Sequence, residues 1–248
     1  MLNLALALWL ISLCNGNLYD CPDDTLGLSC GRCESSDDPH ISTFDGLYYD
    51  QHTDYCFKYV TECPFGANNP VPFDICACHY DCGSGTGGER GCPNNIRCIG
   101  DVALTFYDVG NGYTTTFEIS IDYQNAANPA VDNLNIGPLV SGTSYSFDAA
   151  GNVFIYSQNG NEHIFAIYGS GNSYYAYISY IPGNLEVYLS ENYFSGSSCG
   201  LCGYFDVDGG SNDLTDDTGA IIVDPADLQT WPSYVNLCSF NITIFFSF

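Results

Sequence analysis

"CGLCGYFDVDGGSNDL", residues 199–214, sets two cysteines directly ahead of a cluster of carboxylates and glycines. Three chemistries use such a stretch: a redox Cys-x-x-Cys pair, half of a zinc site, or a disulfide-anchored loop around a hard cation. A thioredoxin-type pair needs a βαβ setting with its first cysteine at a helix N-terminus, where the thiol pKa falls. Here only Gly203 and an acidic turn follow. Zinc needs a second pair of ligands, which "CACHYDC" (Cys76, Cys78, His79, Cys82) supplies on paper. The loop itself interleaves Asp206, Asp208, Asn212 and Asp213 with Gly209 and Gly210. Closely spaced oxygen donors on a glycine-flexed backbone suit calcium, which takes about six to eight oxygens, better than the stricter magnesium. An EF-hand is a poor match, because flanking helices and a closing glutamate are missing. A solvated acidic turn has the same composition, so spacing alone leaves the cation open.

Working outward, cysteine usage favours bridges. The chain carries 14 Cys in 248 residues, far too many for a reduced compartment. Its first residues, "MLNLALALWLISLCNG", have a short apolar core ending in small residues, the pattern of a secretory signal peptide cleaved after Gly16. That run is too short for a membrane span. Removal of Cys14 leaves an odd number of cysteines, so either one thiol is left over within the chain, available to pair with a second chain, or cleavage falls elsewhere. Only Arg32, Lys58, Arg90 and Arg97 are basic, and the net charge is −25. Such a field repels phosphate, which excludes nucleic acid and anionic membranes as partners.

A hydrophobic fraction of 46% with 20 Tyr and 15 Phe is enough for a core rather than disorder. Residues 17–98 hold most of the cysteines and read as a half stapled by bridges rather than conventionally packed. Residues 99–198 hold none and show period-two alternation, as in "NLEVYLS", where Leu185, Val187 and Leu189 share one face. "DVGNGY" near Gly110, Asn159-Gly160 and Pro182-Gly183 supply hairpin turns. An antiparallel β-sheet stack follows, with "DPADLQTW" the one helix-like stripe. "SYYAYISY" reads as tyrosines packed on a sheet face, with a sugar-stacking or adhesive surface as the alternative. His40, His52, His79 and His163 are dispersed, and no nucleophile elbow, His-Glu-x-x-His or phosphate loop accompanies them. The chain therefore reads as non-enzymatic.

Three separated segments resemble the von Willebrand factor type D domain. They are "CESSDDPHISTFDGLYYD" (Cys33 to Asp50), "CGLCGYFDVDGGSNDL" itself, and "DPADLQTWPSYVNLC" (Asp224 to Cys238). Their order and spacing match the family over about residues 30–238. The resemblance implies an all-β, disulfide-rich antiparallel β-sandwich with a calcium-binding loop. It also implies one Ca2+ held by Asp45, Asp206, Asn212 and Asp213, with Asp208 adding a carbonyl or carboxylate. Tyr204 stands where the family usually has an asparagine ligand, and Gly209-Gly210 makes the loop one residue longer. The implied bridges are Cys33–Cys202, Cys63–Cys199, Cys56–Cys238 and Cys92–Cys98. Cys21, Cys30, Cys76, Cys78 and Cys82 stay unassigned.

The resulting expectation is a signal peptide over 1–16, an N-terminal segment over 17–29, the type D domain over 30–238 and an apolar tail over 239–248. Asn241 is a glycosylation sequon in that tail. The expected function is a secreted structural or adhesive module, calcium-stabilised, associating with extracellular proteins of a matrix, mucus or coat, or with itself through the odd cysteine. Two alternatives are a glycan- or lipid-binding module and a self-processing protein that cleaves between Asp38 and Pro39, since an Asp-Pro bond is acid-labile. They separate simply: after incubation at mildly acidic pH and reduction, self-processing yields a fragment beginning at Pro39, whereas a structural turn leaves the chain intact.

Overall fold

The computed structural model describes residues 18–22, 27–36, 39–51, 56–63, 71–81, 97–121, 130–132, 138–206 and 214. Among these residues fifteen strands are numbered in chain order. The first nine are β1 (Leu18–Asp20), β2 (Ser29–Ser36), β3 (His40–Ser42), β4 (Tyr48–Asp50), β5 (Cys56–Glu62), β6 (Phe73–Asp81), β7 (Arg97–Asp108), β8 (Thr114–Ile121) and β9 (Ala130–Asp132). Then come β10 (Thr143–Ser146), β11 (Val153–Asn159), β12 (Glu162–Gly169), β13 (Ser173–Ile181), β14 (Asn184–Ser190) and β15 (Ser198–Cys199). Among the described residues helix is confined to a 3-10 turn over Val109–Asn111 and the single turn α1 (Glu191–Phe194).

All the strand pairs are antiparallel. One sheet runs β10-β11-β12-β13-β14-β2-β3-β4, with β1 also paired to β2; the other runs β15-β5-β6-β7-β8-β9. The hairpin turns fall where glycine was expected to allow them. Gly112, Gly160 and Gly183 all have positive φ, at 76°, 62° and 89°, the left-handed region that glycine enters without a Cβ penalty. Leu185, Val187 and Leu189 of β14 are buried on one face, as the alternation predicts.

The two sheets share one core. Phe106 of β7 stacks on Phe154 of β11 with centroids 4.6 Å apart, and Phe147 and Phe73 pack beside it. Polar contacts also cross between the layers: the Tyr180 hydroxyl donates to the Gly100 carbonyl, and Gly183 N–H donates to the Ile99 carbonyl at 3.1 Å. One expectation is corrected. The cysteine-rich half is not merely stapled, because Phe57, Tyr59, Val60, Phe73, Ile75 and Ala77 of β5 and β6 are core residues, essentially fully buried. Its strands alternate as those of the later half do, and the cysteines obscure the period.

Tyrosine supplies much of the interior, and the hydroxyls of Tyr59, Tyr156 and Tyr180 find partners there. Tyr59 joins the layers, its oxygen 3.1 Å from Ser35 Oγ of β2 and 2.6 Å from His79 Nε2 of β6. Tyr156 is 2.8 Å from His163 Nδ1 and donates to Gln158 Oε1. Burial disfavours the phenolate, pushing Tyr156 up to about 12 and Tyr59 higher still. A folded pKa above the unfolded value of about 10 contributes stability that is complete below pH ~10 and lost as pH rises through the folded value. The protein is therefore expected to unfold in alkali, with tyrosinate absorbance and loss of the β circular-dichroism signal rising together. Tyrosines that all titrated near pH 10 in a still-folded chain would contradict this.

Candidate metal centre

The segment 196–206 leaves the end of the β14–α1 region and runs between the two sheets. Its first anchor is β15, where Ser198 and Cys199 pair with Glu62 and Thr61 of β5. Its second is the β5 backbone further along. Leu201 and Cys202 N–H donate to the carbonyls of Lys58 and Tyr59 at 2.9 and 3.0 Å. Successive carbonyls of a regular strand face opposite edges. Tyr59 is the extra residue of a bulge, since Lys58 pairs with Cys76 and Val60 with Ile75. The bulge lets two consecutive carbonyls serve the same neighbour.

Two disulfides fix the segment at either end: Cys63–Cys199 to the edge of the smaller sheet, and Cys33–Cys202 to β2 of the larger. They close 136 and 169 residues, which on chain entropy corresponds to about 5 kcal/mol each. Gly200 has φ +121°, and a Cβ there would lie 2.6 Å from the Tyr59 carbonyl oxygen. Past Cys202 the chain packs Phe205, fully buried, with its ring 5.2 Å from that of Phe44. The same ring leaves no room for a Cβ at Gly31, which would come within 2.5 Å of it.

This anchoring brings together residues far apart in sequence. Phe44 N–H donates to the Cys202 carbonyl at 3.0 Å, and the Tyr49 hydroxyl donates to the Leu201 carbonyl at 2.6 Å. Asp206 N–H then donates to Asp45 Oδ2 at 3.2 Å. Asp45 is 7% exposed, and a carboxylate so placed needs a compensating donor or cation. Hard carboxylate oxygen is the donor type that calcium selects. Asp208, Asn212 and Asp213 lie outside the described residues. Among the described residues no group of three or more His, Cys, Asp or Glu is placed to hold a metal. Tyr204 directs its hydroxyl to the Gly196 carbonyl, 3.4 Å away, where it braces the turn.

The disulfide map differs from expectation at Cys56. It is bonded to Cys78, not to Cys238. The physical reason is register: Cys56 and Cys78 stand directly opposite in the β5–β6 pair. A fourth bridge, Cys21–Cys30, ties β1 to β2. Cys76 and Cys98 are also disulfide-bonded, so zinc ligation through Cys76 and Cys78 is ruled out, and His79 faces Tyr59 instead. Cys92, Cys238, Asp38 and Asn241 lie outside the described residues. Pro39 is placed: its carbonyl accepts Gln51 N–H at 2.9 Å, and His40 Nδ1 is 2.7 Å from Asp50 Oδ1.

Lys58 and Arg32 are neutralised locally. Lys58 Nζ lies 2.7 Å from Asp74 Oδ2, which also accepts the Tyr107 hydroxyl, and Arg32 lies between Glu34 and Glu186. The tyrosine strands are engaged in packing: Tyr174 and Tyr180 are buried, and Tyr177 packs edge-on against Tyr188.

Fold and site together define an antiparallel, all-β, disulfide-rich protein whose crossing segment brings Asp206 to Asp45. No protein-family model matches the chain, and no curated protein does. Among the described residues no helix is long and apolar enough to cross a membrane.

Gly200→Ala tests the crossing segment. Its Cβ meets backbone that cannot rotate away, so the loss should reach about 3 kcal/mol or more in denaturant unfolding. Gly160→Ala also has positive φ but meets nothing within 4 Å, and should cost only about 1 kcal/mol.

Proposed function

We propose that this protein is a secreted, calcium-stabilised structural or adhesive module of the von Willebrand type D kind, acting by association with extracellular proteins rather than by catalysis. The observation that carries the reading is the hydrogen bond from Asp206 N–H to Asp45 Oδ2, held in place by Cys33–Cys202. Asp45 and Asp206 would supply oxygen ligands, with Asp208, Asn212 and Asp213 completing the shell from the adjoining loop. A cation there would offset the burial of Asp45 and part of the charge of −25. Disulfides that join distant segments of one core suit an oxidising compartment. The two-layered scaffold has strands along its edges and side chains filling its interior, which suits a module that presents surfaces.

Calcium in excess over a chelator should raise the thermal midpoint. At a free concentration about a hundredfold above Kd, binding to the folded state alone corresponds to about 5–10 °C for a chain of this size. Asp45→Asn keeps the side-chain shape and removes the charge, so it should abolish the calcium-dependent shift while leaving the chelated protein near its original midpoint. A midpoint indifferent to calcium, or a shift that survives in Asp45→Asn, would sink the reading.

A further inference from the structure

A cavity lies beside α1, just ahead of the crossing segment. A cleft of about 260 Å³ opens there between the sheets. Its walls are Pro72 ahead of β6, Val109 of the 3-10 turn, Asp148 in the β10–β11 turn, Tyr175 of β13, and Tyr193 and Phe194 of α1.

The aromatic wall is a built feature. In the β12–β13 pair, Ile167 stands opposite Ala176 and Tyr168 opposite Tyr174, so Tyr175 is the extra residue of a bulge. Strict alternation would put Tyr174 on the face of Ala176, Ile178 and Tyr180. Instead Tyr174 joins the outer cluster with Cys21 and Cys30, and Tyr175 turns to the main core. Bulges re-aim side chains in this way beside sites. Gly169 makes room for it, since a Cβ there would lie 2.3 Å from the Tyr175 ring. Tyr193 sits 4.7 Å from Tyr175 between centroids, and Phe194 meets it edge-on at 5.7 Å.

The wall has one charge. Asp148 Oδ1 accepts the Asn152 backbone N–H at 2.8 Å and Oδ2 accepts Asn152 Nδ2 at 2.5 Å, so the carboxylate is held in a fixed orientation. No described lysine or arginine lines the cleft: Arg32 and Lys58 are occupied in ion pairs elsewhere. Burial, and then Tyr193 and Asp148 nearby, raise the pKa of the Tyr175 phenol and keep it protonated.

We propose that this cleft binds a small organic ammonium, the quaternary head of a choline-like molecule seated on the faces of Tyr175 and Tyr193 with its charge toward Asp148. Aromatic quadrupoles attract cations that approach the ring face, and the net charge of −25 raises the local concentration of any cation. A metal ion is disfavoured, because one carboxylate and one amide fall short of the oxygens a hard cation takes. The volume is below the ~300–1,000 Å³ of drug-sized sites, so a head group fits and an oligosaccharide does not.

The test is calorimetric titration of the full folded chain with choline and with its uncharged carbon isostere, in which tert-butyl replaces trimethylammonium. Choline should bind at least about tenfold tighter than the isostere. Asp148→Asn and Tyr193→Leu should each weaken choline about tenfold, with circular dichroism and thermal midpoint kept. Asp148→Asn retains an acceptor toward Asn152, so it decides the matter if Tyr193→Leu fails to fold. Equal binding of the two compounds, unchanged affinity in Asp148→Asn, or no saturable binding of choline would overturn the proposal.

Discussion

The bridge from Cys202 to Cys33, with the backbone bonds around it, is the constraint on which the arrangement of this molecule depends. It holds an irregular segment against both sheets at once. On one side Leu201 and Cys202 donate to consecutive carbonyls of β5; on the other the disulfide reaches β2 and Phe44 N–H caps the Cys202 carbonyl. Irregular backbone inside a fold is costly unless its polar groups are satisfied. Here β5 supplies the acceptors, and a bulge at Tyr59 aims them. Gly200 and Gly31 are the spatial counterparts of this arrangement, one yielding to backbone and the other to the Phe205 ring.

The same segment concentrates the electrostatic problem. A chain with 29 acidic and 4 basic side chains must disperse its charge or neutralise it. Arg32 and Lys58 go to specific carboxylates, and its interior uses tyrosine, which brings hydrogen-bonding capacity without charge. Tyr59 joins Ser35 of one layer to His79 of the other, and Tyr107 supports Asp74 beside Lys58. Asp45 is a buried carboxylate at the crossing segment, where it accepts the Asp206 backbone N–H. Under the proposed reading a divalent cation binds there, which would make the calcium part of the fold's stability as well as of its function.

Much of this was legible in the sequence. Leu185, Val187 and Leu189 announced the inward face of β14, and Asn159-Gly160 and Pro182-Gly183 announced their hairpins. Motif resemblance grouped Asp45 with Asp206, Asp208, Asn212 and Asp213; of these the described residues are Asp45 and Asp206, and the Asp206 N–H donates to Asp45. The strands β5 and β6 were harder to read because cysteines interrupt their period. The partner of Cys56 was not readable either. That pairing depends on the β5–β6 register, which a bulge shifts by one residue, and a one-residue slip changes every opposed pair. The outward turn of Tyr174 and the inward turn of Tyr175 are hidden for the same reason.

By itself, the sequence determined what is local or compositional: strands from period-two alternation, turns from glycine at positive φ, bridges from cysteine number, and the sign of the surface charge. Each follows from neighbours within a few residues or from a simple count. Only the tertiary structure decided which cysteine meets which, that Phe205 closes over Gly31, and that Tyr175 faces a cleft with Asp148. Those outcomes depend on register and on contacts between layers. Both are set by bulges and by the packing of distant segments, and no local pattern encodes them.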